Sequence, residues 1–178
     1  EYKLPIGCDV PETIILADGD FPSHPLALEW LRQCPYVVCC DGAANTYIRS
    51  GRMPEAIVGD GDSLLPDIKE RYASLIHSEA EQETNDLSKA FRFCLSQERK
   101  RITIMGATGK REDHTIGNVS LLADYMEQAE VSMMTDYGIF VPIREDSMFE
   151  SYIGQQISVF NMNRTALSAE GLAYPLSV

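Results

Sequence analysis

Histidine is nearly missing from the sequence, with three in 178 residues, and so small a number offers no ligand set for a zinc centre. The five cysteines are an odd number and form no C-x-x-C. Cys39 and Cys40 lie inside an apolar run, so the set reads as reduced core thiols of a cytoplasmic protein and not as a disulfide framework. Basic residues are scarce: 15 Lys and Arg against 27 Asp and Glu leave a formal charge of -12, which excludes the basic footprint that nucleic-acid phosphates require. No apolar stretch reaches the roughly 20 residues of a membrane helix, and no signal peptide is visible, so neither a membrane nor secretion is expected. Several sequence signatures are also missing. There is no Walker A loop and no G-x-G-x-x-G, Ser63 lacks a G-x-S-x-G elbow, and no twelve-residue calcium loop closes on a glutamate.

Apolar side chains are plentiful, at 44%, enough for a folded core. Short β-branched or aliphatic runs at 13–17, 36–40, 56–59, 74–77 and 101–105 read as strands. Between them, helical spacing predicts helices at 25–34, 43–50, 66–72, 84–97 and 113–128. That alternation predicts an α/β fold, a parallel sheet flanked by helices. After residue 129 the pattern changes to short strands at 131–134, 138–143, 156–160 and 171–176 without helices between them. A smaller antiparallel β domain is therefore expected after the α/β domain, with 1–135 and 136–178 as the two units.

In an open α/β sheet ligands sit beyond the carboxyl ends of the strands. Those ends carry Asp18-Gly19-Asp20, Asp41-Gly42, Gly59-Asp60-Gly61-Asp62-Ser63, and Gly106 to His114 with Lys110, Arg111 and Asp113. Two carboxylates as close as Asp60 and Asp62 repel one another, and a cation resolves the conflict. Oxygen-only ligands favour a hard ion, and carboxylates together with phosphate oxygens and water suit Mg²⁺. A single D-G-D could equally be a solvated turn with a helix cap. Here Glu81, Glu83 and Asp86 before one helix and the Arg111, Asp113, His114 group before another add to it. The residues alone thus indicate a rim that binds a magnesium-phosphate ligand, without naming the acceptor.

The ordered motifs resemble the thiamine pyrophosphokinase (thiamine diphosphokinase) family, whose pattern is DGA, GDxDS, a QDxTD-like element with a following Lys, and G-x-GGRxDH. The corresponding stretches are Asp41-Gly42-Ala43, Gly59-Asp60-Gly61-Asp62-Ser63, Gln82 to Asp86 with Lys89, and Gly106 to His114 with Asn118. Gly171 to Leu176 resembles a late GL-x-[WY]-x-L strand of the family. The resemblance implies transfer of a pyrophosphoryl group from the co-substrate ATP to the hydroxyl of thiamine, giving thiamine diphosphate and AMP. It also implies Mg²⁺ and a homodimer with the thiamine site at the subunit interface. Carried over by position, Asp60, Asp62 and Asp86 would be the metal ligands, with Glu83, Gln82 and Asp41 close by. Gly109, Arg111, Asp113 and His114 would line the phosphate side with Asn118 behind them, Ser63 and Lys89 would belong to the nucleotide site, and Tyr174 would meet the thiamine rings. Glu83, Asn85 and Lys110 depart from the family's Asp, Thr and second glycine, and a Ser-Asn element expected after the late strand is missing, so the β-rich unit is expected to be incomplete.

On this reading Asp62, Asp86, Arg111 and Asp113 carry the chemistry, and Asp113 and Asp41 are both open as proton acceptors. The residues leave two alternatives: a magnesium-dependent nucleotide phosphohydrolase, and a non-catalytic nucleotide-magnesium module. Asp62→Ala is expected to lower kcat by orders of magnitude with the fold intact by circular dichroism, and near-normal turnover would refute the metal role.

Overall fold

Strands built of consecutive aliphatic residues, without polar alternation, must be covered on both faces. The computed structural model, which describes residues 1–5, 10–79, 83–162 and 165–176, meets that requirement with helices on two sides of one sheet. The first half runs β1 (Thr13–Leu16), α1 (Pro25–Gln33), β2 (Val37–Cys40), α2 (Ala43–Arg49), β3 (Ala56–Val58), α3 (Pro66–Arg71), a 3-10 turn (Ala73–Leu75) and β4 (Ile76–His77). The second half runs α4 (Asp86–Ser96), β5 (Arg101–Met105), α5 (Glu112–Tyr125), β6 (Glu130–Met134) and β7 (Ile139–Phe140).

The seven strands form one sheet in the order β4-β3-β2-β1-β5-β6-β7. The first six are parallel, and β7 closes the edge antiparallel to β6. Register is set from the centre, with Ile14 opposite Val37 on one side and Thr103 on the other. From β1 the chain steps outward through β2, β3 and β4. It then crosses back through α4 to start β5 on the opposite side of β1. The sheet's topological switch point therefore lies between β1 and β5.

Successive strand residues point to opposite faces and build two cores. Ile15, Val38, Cys40, Val58 and Ile104 pack under α4 and α5, against Leu87, Phe91, Cys94, Leu122 and Tyr125. Ile14, Leu16, Val37, Cys39 and Ile57 pack under α1, α2 and α3, against Trp30, Leu31, Tyr47 and Ile68. Cys34, Cys39, Cys40 and Cys94 are free thiols, the last three buried, and burial pushes the Cys94 thiol up to about 12. Helix starts follow local chemistry. Proline occupies the first turn of α1 and α3, and Asn85 caps α4 by accepting the Ser88 N–H at 2.9 Å. Among the described residues no helix is long and apolar enough to cross a membrane.

The α/β sheet and the antiparallel pair at its edge agree with the architecture read from the sequence, and the differences lie at element ends and in the last two expected strands. Asn85 takes the cap, so α4 starts at Asp86 and not at 84, and α5 ends at Tyr125. Residues 74–77 are divided between a 3-10 turn and a two-residue strand. The strands expected at 156–160 and 171–176 do not form: Ile157 is 51% and Phe160 75% exposed, and neither segment pairs with another strand among the described residues. Alternation alone does not make a strand when no partner supplies the ladder. An isolated bridge, Tyr2 to Phe149, with the two rings stacked at 4.7 Å, ties residues 1–5 to the segment that follows β7.

Phe91 is 1% exposed and stacks on Tyr125 with ring centroids 3.9 Å apart. Phe91→Ala is expected to cost about 3–5 kcal/mol in a urea unfolding curve, and a loss below about 1 kcal/mol would contradict this account of the core.

Candidate functional site

Because β1, β2, β3 and β5 run parallel, their carboxyl ends fall on one rim. Asp41 lies nearest the core of that rim. It follows β2, is 4% exposed and holds a left-handed φ of 28°, a region aspartate tolerates better than most residues. Its backbone N–H donates to Val58 O at 2.9 Å, and its Oδ2 accepts the Ser63 N–H at 3.0 Å. Oδ1 is buried with no hydrogen-bond partner among the described residues. Burial raises the Asp41 carboxyl above its ordinary range, opposed by the Ser63 bond, and the negative charges of Asp86 and Asp60 raise it further. Gly42, the next residue, lets the Asp18 carboxylate approach: a Cβ there would lie 2.5 Å from Asp18 Oδ2, so a side chain would displace that carboxylate.

The loop after β3 is braced from α2. Asn45 Nδ2 donates to Ser63 O at 2.8 Å, and Asn45 Oδ1 accepts the Leu65 N–H at 2.9 Å. Within the loop Asp60 Oδ1 accepts the Asp62 N–H at 3.0 Å, an Asx turn that leaves both carboxylates exposed. Lys69 Nζ reaches back to Gly61 O at 2.9 Å. On the other side, Asp86 opens α4 and accepts from Lys89 Nζ at 3.2 Å, with the lysine side chain 6% exposed. Buried Asn118 receives Asn85 Nδ2 at 3.1 Å and donates to Ala107 O at 2.8 Å, joining the start of α4 to the loop before α5.

That loop turns through three left-handed residues, Gly106, Gly109 and Lys110, at φ 65°, 77° and 55°. Gly109 has no room for a side chain because the Asp20 carboxylate occupies the space beside it. Lys110 Nζ donates to Asp18 O at 3.0 Å and to Asp18 Oδ1 at 3.1 Å. Arg111 caps α5 and forks onto the exposed Asp113 carboxylate at 3.1 and 2.5 Å, which holds that acid at about 2. Gly109, Lys110, Arg111, Glu112, Thr115 and Ile116 line an open concavity of about 340 Å³.

The structure thus draws Asp41, Asp60, Asp86, Ser63 and Lys89 into one neighbourhood and places Gly109, Arg111, Asp113, His114 and Asn118 along the adjoining loop and helix. His114 and Glu83 are exposed, Tyr174 is 86% exposed on the last stretch, and Gln82 lies outside the described residues. Among the described residues no three acidic, histidine or cysteine side chains close on a point that would hold a metal ion, and Asp62 points to solvent with its peptide bound to Asp60. The donor chemistry nevertheless fits a hard divalent cation. All donors are oxygens, Asp41 Oδ1 is orphaned, and Asp60 and Asp86 load the same buried carboxylate with negative charge. Asp18 was legible as a strand-end carboxylate but not as a partner of Lys110, and Asn45 carried no motif at all; each acts through a contact more than 15 residues away.

Comparisons with known proteins place the chain as a whole. Residues 27–134 match the family model of the thiamin pyrophosphokinase catalytic domain, and residues 138–178 that of the thiamin pyrophosphokinase substrate-binding domain. Thiamine pyrophosphokinase 1 of Oryza sativa subsp. japonica is 30% identical over 129 residues, 58% of this chain and 49% of that protein. Thiamine pyrophosphokinase of Bacillus subtilis is 34% identical over 86 residues, 46% of this chain and 40% of that protein. The chain spans about half the length of the curated relatives it matches. Among solved structures, the thiamin pyrophosphokinase of Geobacillus thermodenitrificans superposes with a TM-score of 0.56 at 27% identity, over 68% of this chain and 58% of that one. The yeast enzyme reaches 0.58 at 18% identity, over 75% and 63%, a likeness of fold.

Asp41 generates a stability prediction. Its carboxyl stands above the ordinary 3.8 in the fold, so the folded chain keeps the proton to higher pH than the unfolded chain does. That contribution is present in full below the ordinary value and is lost as the pH rises through the raised one. In metal-free buffer, Asp41→Asn is expected to unfold at the wild-type temperature or above it at pH 7, with the advantage shrinking toward pH 3. A lower Tm at pH 7 with no dependence on pH would contradict the charge repulsion described here.

Proposed function

The chain belongs to the thiamin pyrophosphokinase family, and we propose that it transfers the pyrophosphoryl group of ATP to the hydroxyl of thiamine. The thiamine oxygen bonds to the β-phosphorus of ATP, the bond from that phosphorus to the oxygen bridging the α-phosphate breaks, and AMP leaves. The hydroxyl proton passes to a carboxylate. The observation that carries the reading is the acidic rim itself: a buried, half-satisfied Asp41 in the field of Asp60 and Asp86, beside a loop that presents Arg111 at the start of α5.

In this reading residues 1–135 form the catalytic unit that binds ATP with magnesium, and 136–178 contribute to the thiamine site, with a second subunit completing it in a homodimer. Asp60, Asp62 and Asp86, with Glu83 nearby, would hold Mg²⁺, which when bound offsets the charge of the polyphosphate. Gly109, Arg111, His114 and Asn118 hold or support the phosphate side, where the Arg111 fork suits phosphate as it now suits Asp113. Gln82, Ser63 and Lys89 orient the nucleotide side, and Tyr174 meets the thiamine rings. Of the two carboxylates open as proton acceptor, Asp41 is the better placed. Its affinity for a proton is raised by burial, whereas Arg111 holds Asp113 down at about 2. Buried free thiols suit a reducing compartment, the cytoplasm.

Incubation of the chain with ATP, Mg²⁺ and thiamine is expected to yield AMP and thiamine diphosphate in equal amounts, with EDTA abolishing both. ADP as product, or ATP breakdown that ignores thiamine, would overturn the reading in favour of a phosphohydrolase. Binding of ATP with no turnover would leave only a nucleotide-magnesium module.

A further inference from the structure

Between β1 and β5, where the strand order reverses, two loops face each other across the crevice. They are already joined by main chain: Gly19 N–H donates to Gly106 O at 2.7 Å and Asp20 N–H to Thr108 O at 2.8 Å. The ion pair from Lys110 to Asp18 spans the same crevice, with 54% and 45% of the two side chains exposed. An ion pair so exposed adds little to a connection that two backbone bonds have already made. Lys110 also occupies a left-handed φ of 55°, which disfavours every side chain except those of glycine and, in part, Asn and Asp. A lysine at that position costs the fold something, and its ion pair does not repay it. Lys110 lines the 340 Å³ concavity together with Arg111 and Glu112 at the first turn of the 14-residue α5, so two basic residues, one acidic residue and a helix start surround one open space.

We propose that Lys110 is a binding residue that contacts the polyphosphate chain of the nucleotide, with Asp18 holding its ammonium until phosphate oxygens replace the carboxylate. The inference deepens the reading of this rim as a polyphosphate site and rests on it. Lys110 gives Nζ a second anionic partner of higher charge at the same crevice. Asp18 is the competitor for that ammonium, not a ligand of the phosphate.

The two roles available to Lys110 predict opposite signs for Asp18. If the pair only fastens the loops, breaking it from either side has one effect. If Lys110 contacts phosphate, removing Asp18 frees the ammonium. Binding of inorganic tripolyphosphate in Mg²⁺ buffer, measured by titration calorimetry on the full chain, separates them. Lys110→Met and Lys110→Gly are each expected to weaken binding roughly tenfold, the scale of one charge-assisted hydrogen bond. The glycine variant removes the strained φ, so its loss cannot be assigned to the backbone. Asp18→Asn is expected to bind as tightly as wild type or tighter, and Lys110→Arg within about threefold of wild type. The proposal is overturned if Lys110→Met stays within twofold of wild type, if Asp18→Asn loses as much as Lys110→Met, or if the wild-type chain does not bind tripolyphosphate. Because the assay needs no turnover, a chain that binds through Lys110 yet makes no AMP would keep this inference and remove the catalytic reading.

Discussion

A parallel sheet ends all its strands on the same side, and this sequence puts two aspartates after β1, one after β2 and two after β3. In a chain of formal charge -12, those carboxylates cannot disperse without changing strand order, so their mutual repulsion is built into the topology. Asp41 concentrates the problem. It is buried, one of its oxygens is bound by the Ser63 peptide and the other by nothing among the described residues, and Asp60 and Asp86 both oppose its ionisation.

The local cations share out the remaining charge in a revealing way. Lys89 takes Asp86, Lys110 takes Asp18 and Arg111 takes Asp113. Lys69 is spent on the Gly61 carbonyl. Asp41, Asp60 and Asp62 have no ion-pair partner among the described residues, and they sit at adjacent strand ends. The charge imbalance is therefore concentrated between β2, β3 and α4, near the loop that carries Lys110 and Arg111 into the start of α5. A hard divalent cation bearing an anionic polyphosphate complements both halves of that arrangement.

Much of this was legible in the residues. Aliphatic runs of four or five, such as TIIL and VVCC, have only one way to be buried, which is why the sheet and its flanking helices follow from pattern alone. The strand-end rule then gathers those aspartates and glycines on one rim of the sheet. Two kinds of information were not legible. Alternation at 156–160 suggested a strand, but a ladder needs a partner, and pairing is a property of the whole chain rather than of the segment. Lys110 stands where a second glycine was expected, and its left-handed φ explains that expectation: the loop keeps the glycine's conformation and adds a charge. Asn45 and Asn118 were silent or nearly so because their work is to accept and donate across 18, 20, 33 and 11 residues of separation, which spacing does not encode.

The proposed function requires that the carboxylates around Asp41 take up a divalent cation together with polyphosphate. Titration of the metal-free chain with Mn²⁺, followed by electron paramagnetic resonance with and without a non-hydrolysable ATP analogue, tests it most directly. The account predicts weak Mn²⁺ binding alone, binding at least tenfold tighter with the analogue, and loss of that enhancement in Asp60→Asn. Mn²⁺ affinity indifferent to both the nucleotide and the Asp60 substitution would contradict it.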